Sequence, residues 1–334
     1  RADRPGSQRA AARLAEREVR SYEAEAVGAL WHLDFHHGSR QVLMPDGRYV
    51  KPYLLGVLDD HSRLCCHLQW YLGETAENLV HGLGQALQKR GLPRALLTDN
   101  GAAMIASEVE QGLVRLGIVH ETTLPESPYQ NGKQESFWAS VEGRLMAMLE
   151  GVRDLALPAL NEATLAWAEM EYNRTVHSEI SEPPLQRFLR GPDRSRRAPA
   201  SEELRLAFTT EVLRRQRRSD GTASLDGVRF EIPGRYRQFE RVALRHASWD
   251  LSRVWLADPR HGHVLCPIYP VDKARNASGQ RRTLEPILAP PQAQPPASGM
   301  APLLRALLER YAATGLPPAY LPQPATDTDP EEKP

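Results

Sequence analysis

Between Trp31 and Leu72 the chain alternates apolar and polar residues in three runs, and this period-two pattern constrains the fold more than any other feature. The runs are WHLDFH from Trp31, YVKPYLLGVLDD from Tyr49 and CCHLQWYL from Cys65, separated by Pro45-Asp46-Gly47 and His61-Ser62-Arg63. Successive strand side chains point to opposite faces, so such alternation predicts strands, and the turn residues between them predict an antiparallel meander.

The period then lengthens. Residues 75–90 read as a helix, with Thr75 as its cap, Leu79, Leu83 and Leu87 as its buried stripe and Gly91 as its stop. A short apolar strand (RALLTD), a helix through EVEQGLVRLG, a strand at IVHETTL and a long helix from about Gln130 follow, giving the order βββαβαβα. Three antiparallel strands and two helix-crossover strands imply an α/β fold, a mixed five-stranded sheet with flanking helices in the ribonuclease-H-like manner. A further helix over 157–174 extends this expected core to residues 28–190, with Leu160, Leu165, Ala168 and Tyr172 packing inward.

The flanking segments read differently. Residues 1–27 look like a helical connector rich in Ala, Arg and Glu, and because the chain starts at Arg1 a DNA-reading region is expected upstream. Residues 191–219 look like a basic linker. Short alternating strands over 220–285, around Val228, Phe230, Ile232, Val242, Leu244, Val254, Leu256, Val264 and Cys266, suggest a small all-β barrel. Residues 286–334 combine a proline-rich tether, a short amphipathic helix with Leu303, Leu304, Leu307, Leu308 and Tyr311, and an acidic tail.

Composition matters at two points. No apolar run approaches the ~18 residues that span a bilayer, and Cys65, Cys66 and Cys266 form neither a CxxC pair nor a disulfide framework. A cytoplasmic, nucleoid-associated protein without a membrane partner is expected. The formal net charge of zero conceals a pattern: residues 1–20 carry +3, residues 30–150 carry −4, residues 174–218 carry +5 and residues 219–285 carry +3. An acidic middle flanked by basic segments suits a cation-binding carboxylate site with separate surfaces for a phosphate backbone.

Three carboxylates stand out. Asp34 lies mid-strand in WHLDFHH, Asp99 ends a strand in LLTDNG, and Glu135 opens the helix after PESPYQNGKQE, with 35 residues between the last two. Acids from three separate elements can converge at the carboxyl ends of strands, where α/β sheets collect ligands. Oxygen donors of this kind suit Mg²⁺, which holds its waters and needs few protein ligands. Glu135 flanks the stripe of Phe137, Val141, Leu145 and Met148, as a site residue should, whereas Glu142 reads as a solvated competitor and Asp59 and Asp60 as either supporting the site from behind or structural.

With WHLDFHH, TDNGAAM and SPYQNGKQESFW in place, residues 28–190 resemble the DDE core of insertion-sequence transposases and retroviral integrases. The resemblance implies a DNA transposase that cuts at element ends and transfers the 3′-hydroxyl into target DNA. Its catalytic and metal-binding residues would be Asp34, Asp99 and Glu135, with two Mg²⁺ ions for which Mn²⁺ can substitute. Asn100, Gly101, Asn131 and Gly132 would shape the loops around them. Lys133, Arg194, Arg196, Arg197, Arg214, Arg215, Arg217 and Arg218 are candidates for DNA phosphates. The 220–285 barrel resembles that of Mu-type transposases, which implies DNA contact or complex assembly. Expected partners are double-stranded DNA, further copies of the chain assembled on it, and an accessory ATPase engaging the C-terminal helix, for which the alternative is packing on the chain's own barrel.

Two rival readings remain. His32, Asp34, His36 and His37 could form a zinc site, since period two puts the first three on one strand face, but a zinc hydrolase leaves Asp99 and Glu135 unexplained. A catalytically inactive DNA-binding or assembly protein derived from a transposase is the other.

Overall fold

The computed structural model describes residues 23–123, 132–272, 297–316 and 318–321. The connector helix expected over 8–20, Asn131, the 286–296 part of the tether and the acidic tail lie outside the described residues.

The core is the five-stranded mixed sheet its patterning predicts. Strands β1 (Leu30–His37), β4 (Tyr53–Asp59), β5 (Cys65–Tyr71), β6 (Ala95–Thr98) and β7 (Val119–Thr122) lie in the order β5-β4-β1-β6-β7. β1 runs antiparallel to β4 and parallel to β6, and β6 runs parallel to β7. The run expected to be one strand from Tyr49 is two, because Pro52 cannot donate to a ladder. Tyr49–Val50 (β3) pairs in a hairpin with Val42–Leu43 (β2), and the sheet strand starts only at Tyr53.

Both faces of the sheet are covered, and alternation sorts the side chains. On β4, Leu55 and Val57 face one apolar cluster with Trp31 and Leu33 of β1, while Leu54 and Leu58 face another. The first cluster is closed by α1 (Ala76–Arg90), whose Leu79, Leu83 and Leu87 are fully buried, and by α2 (Ser107–Leu116). Thr75 caps α1 by accepting from the Asn78 N–H at 3.2 Å, and Gly91 ends it at φ 87°.

The second cluster is closed by α3 (Gly132–Ser140) and α4 (Leu157–Met170). A π-helical turn, Val141–Met146, follows α3 directly and shifts the helical phase, so that Met146 and Leu149 are buried where Met148 is only partly so. A 3-10 turn, Tyr172–Arg174, extends α4, and the four residues expected to face inward from 157–174 are all buried.

Edge strand β5 would expose unpaired backbone groups. Asn161 of α4 supplies the missing partners, accepting from the Trp70 N–H at 2.7 Å and donating to the Trp70 carbonyl at 3.1 Å. Asn173 treats Cys65 in the same way, at 2.9 and 3.1 Å. The edge is thereby closed to further strands.

Residues 191–219, expected to be a linker, are built into the body. After α5 (Pro184–Arg190), Arg196 bridges to Leu92, α6 (Ser201–Ala207) packs on α2, and β8 (Thr210–Arg215) joins a sheet. Its composition misled because the arginines lie along elements whose apolar residues are few: Leu204, Ala207 and Phe208 anchor this stretch in the core, with Ala198 packed beside them.

Beyond β8 the chain forms β9 (Thr222–Leu225), β10 (Val228–Glu231), β11 (Arg241–Ala247), β12 (Asp250–Ala257) and β13 (Val264–Ile268). These make a four-stranded sheet, β13-β12-β11-β8, and a β10-β9 hairpin around one apolar core containing Phe230, Val242, Leu244, Val254 and Leu256. The described residues thus form an all-β unit of two sheets, with β8 drawn from the segment expected to link it. The C-terminal helix α7 (Pro302–Ala312) packs on α4 of the core, where Leu304, Leu307 and Tyr311 are buried, rather than on the β unit. No helix among the described residues is long and apolar enough to cross a membrane.

Candidate active site

The parallel pairing of β1 with β6 brings two of the three expected acids together. His32 pairs with Leu97, and continuing that register two residues sets Asp34 beside Asp99 at the carboxyl end of β6. Asp34 is half-buried, and its pKa is raised to about 6, first by burial and further by the negative charge of Asp99, against a lowering by the Trp138 indole N–H. Two crowded, partly desolvated carboxylates repel one another, and a cation is what would relieve them.

The turn after Asp99 is tight. The Gly101 N–H donates to Asp99 Oδ1 at 2.9 Å, and a Cβ at Gly101 would stand 3.0 Å from that same oxygen. A side chain at Gly101 would therefore press on the Asp99 carboxylate, which would have to give by a few tenths of an ångström. Asn100 turns away from the acids and donates to the Thr123 carbonyl at 2.9 Å, tying the β6 turn to the end of β7. Gly132, the first residue of α3, has open space where a Cβ would be, so no packing demand explains it.

Helix α3 lies along β1 and meets its inward face at three levels. Lys133 pairs with Asp60, which also bonds His32 at 2.6 Å. Trp138 Nε1–H donates to Asp34 Oδ2 at 3.3 Å. Glu142, in the π turn, bonds His36 at 2.9 Å and accepts from the Ser39 hydroxyl at 2.5 Å. Glu135 is exposed, one turn before Trp138 and on the same side of the helix. The structure does not gather it with the aspartates: among the described residues no group of three His, Cys, Asp or Glu side chains is placed to hold a metal ion.

This ladder corrects several expectations. His32, Asp34 and His36 do share a strand face, yet the two histidines are committed to Asp60 and Glu142, so no zinc cluster forms. Glu142 is not a solvated bystander. Lys133 is engaged by a buried carboxylate rather than held out for DNA. Asp59 and Asp60 are structural, one of the two roles expected: Asp59 accepts from the N–H groups of Gly28 and Ser62, both at 2.8 Å, and Asp60 from that of Ala24 at 2.6 Å.

The arginines divide likewise. Arg196 is spent on the Gly117 carbonyl at 2.8 Å and the Pro93 carbonyl at 3.3 Å, closing the end of α2. Arg215 lies 3.4 Å from Glu240 and Arg217 4.0 Å from Asp220. Arg194, Arg197 and Arg218 are exposed and Arg214 is half-buried on β8.

Trp138 and Gly56 escaped the sequence reading. A glycine inside the apolar strand YLLGVLD was the available signal, since such a residue marks close approach of another group. A Cβ at Gly56 would lie 2.4 Å from the Trp138 ring.

Residues 24–128 match the family model of the integrase core domain. The match covers β1 through β7, with Asp34 and Asp99 inside it and Glu135 just beyond. Among solved structures, the HTLV-2 integrase catalytic core domain in complex with magnesium is 20% identical, over 48% of this chain and 95% of its own, at a TM-score of 0.38. The catalytic core domain of BIV integrase is 22% identical over 48% and 94%, at 0.39. A chain of the simian T-cell lymphotropic virus intasome, solved in complex with PP2A regulatory subunit B56 gamma, is 15% identical over 75% and 78%, at 0.44.

Proposed function

We propose that this chain is the catalytic part of a DDE-class DNA transposase, a polynucleotidyl transferase that nicks DNA at element ends and joins the 3′-hydroxyl to target DNA. The observation that carries the reading is the Asp34–Asp99 pair, set on neighbouring parallel strands inside a segment that matches the integrase core domain.

The donor chemistry fits a divalent cation: all oxygen, negatively charged, partly desolvated, and with the two carboxylates that suffice for a magnesium ion keeping its waters. Asp34 and Asp99 would hold Mg²⁺ or Mn²⁺, and Glu135 would complete the set on bound DNA. Bound ions would activate the attacking oxygen and neutralise charge on the scissile phosphate. The chain's own residues do the positioning. The Gly101 N–H orients Asp99, and the Glu142–His36 bond ties the turn after α3 to β1.

Exposed arginines at 194, 197 and 218 are suited to the phosphates of double-stranded DNA, and joining two element ends requires more than one copy on that DNA. An accessory ATPase engaging α7 would have to use its outer face, around the exposed Leu303, because Leu304 and Leu307 are buried on α4 and Leu308 is partly so.

The test is incubation with labelled DNA carrying the element's ends in Mg²⁺, Mn²⁺, Zn²⁺ or EDTA. Nicking and joining that need Mg²⁺ or Mn²⁺, and that Asp99→Asn and Glu135→Gln abolish without loss of DNA binding, are expected. Binding with no strand chemistry in any metal would favour an assembly protein instead.

A further inference from the structure

Trp138 occupies the middle level of the contact between α3 and β1 and is 7% exposed. Its ring stacks on His36 with centroids 5.1 Å apart at 16°, lies tilted against Phe137 at 5.2 Å, and covers Gly56, where even a methyl group would collide with its Cη2. His36 is itself fixed by Glu142. An aromatic side chain so enclosed would be explained by packing alone, were it not for where its N–H points. Trp31, Trp70 and Trp167 are also buried; Trp70 donates to the Thr164 hydroxyl at 2.8 Å, while among the described residues the indole N–H groups of Trp31 and Trp167 meet no acceptor. Burial in this fold therefore does not of itself find a partner for a tryptophan. Trp138 donates to Asp34 Oδ2, an oxygen of the carboxylate pair.

We infer that Trp138 is a positioning residue for the cation site: its N–H holds one oxygen of Asp34 and leaves the other to the ion, while its clamped ring sets how far along β1 the helix bearing Glu135 sits. The inference rests on the reading of Asp34 and Asp99 as cation ligands. Groups that orient a ligand from behind are worth about 10- to 100-fold in metal affinity when removed.

The test reads the indole N–H resonances of the ¹⁵N-labelled chain, six in number from its six tryptophans, during titration with Mg²⁺. Trp138→Phe identifies the Trp138 resonance by its absence, and Asp34→Asn identifies it independently by shifting it, so assignment does not depend on one variant folding. The Trp138 resonance is expected to move saturably with Mg²⁺ in the wild type and not in Asp99→Asn. Trp138→Phe should weaken Mg²⁺ binding measured by calorimetry about tenfold, and on DNA it should lower kcat with KM unchanged. If Asp99→Asn weakens Mg²⁺ binding while the Trp138 resonance stays still and Trp138→Phe binds like the wild type, the inference is overturned and the site reading stands. Mg²⁺ binding that neither aspartate variant weakens would remove the site reading and the inference together.

Discussion

Lys133, two residues before Glu135, is paired with Asp60, a fully buried carboxylate at the end of β4. Burial works to raise the Asp60 pKa, but the bonds from His32, Lys133 and the Ala24 N–H outweigh it and hold the group well below the ordinary carboxylate range. One side chain thus joins β1, α3 and the chain's entry into the core. Removing one partner of a buried ionic network typically costs 3–5 kcal/mol. Asp60→Asn is expected to lower stability by about 3 kcal/mol in urea unfolding and to loosen the start of α3, seen as faster amide exchange at 132–138. Wild-type stability and exchange in Asp60→Asn would show that Lys133 and Asp60 merely lie close.

The closure of the β5 edge by Asn161 gives a second prediction. In Asn161→Ala the N–H and carbonyl of Trp70 both lose their partners in a buried place, which costs about 2–6 kcal/mol at roughly 1–3 kcal/mol for each group. The variant should melt lower and aggregate more readily, because an open strand edge is a template for pairing. Thermal unfolding with light scattering checks both.

The arginines separate two kinds of basic residue that look alike in a sequence. Arg196→Ala should lower the melting temperature by removing the cap on α2, yet leave the salt dependence of DNA binding unchanged. Arg218→Ala should leave the melting temperature alone and reduce the slope of log K against log salt by about 0.9, the value of one phosphate contact. Titrations at four salt concentrations distinguish them, and equal slopes for both variants and the wild type would take Arg218 off the DNA surface.

His81 on α1 gives the chain a predictable response to acid. Burial lowers its pKa to about 4, and it shares a hydrogen bond of 2.8 Å with the Tyr71 hydroxyl. The unfolded chain, with an ordinary histidine near 6.5, takes up the proton first as pH falls. The contribution is therefore fully present above about 6.5 and is lost between there and 4, amounting to about 2 kcal/mol by pH 5. His81→Gln should show that much less loss between pH 7.5 and 5 in urea unfolding. An identical pH response in both chains would contradict the assignment.

Much of this was legible in the amino-acid order. The alternation around Trp31, Tyr53 and Cys65 and the caps at Thr75 and Gly91 report on local backbone and burial, and local rules read them correctly. Asp34 and Asp99 were singled out by the motifs around them, and only the fold shows that the β1–β6 register sets them side by side. What escaped depends on tertiary partners. Nothing local distinguishes Arg196, which finds carbonyls across the fold, from Arg218, which stays exposed. The π turn at Val141–Met146 shifts the helix phase and carries Glu142 onto His36, an outcome that a 3.6-residue repeat cannot anticipate. Leu304 and Leu307 announced an amphipathic helix but not that α4 would be what covers them.

In the proposed function, Asp34 and Asp99 form the cation-binding centre. Anomalous diffraction at the manganese edge from crystals soaked in MnCl₂ tests it most directly. An anomalous peak is expected between the Asp34 and Asp99 carboxylates and is expected to be absent from Asp99→Asn crystals. Manganese bound at His32 or His36 instead, or a peak that persists without the Asp99 carboxylate, would contradict it.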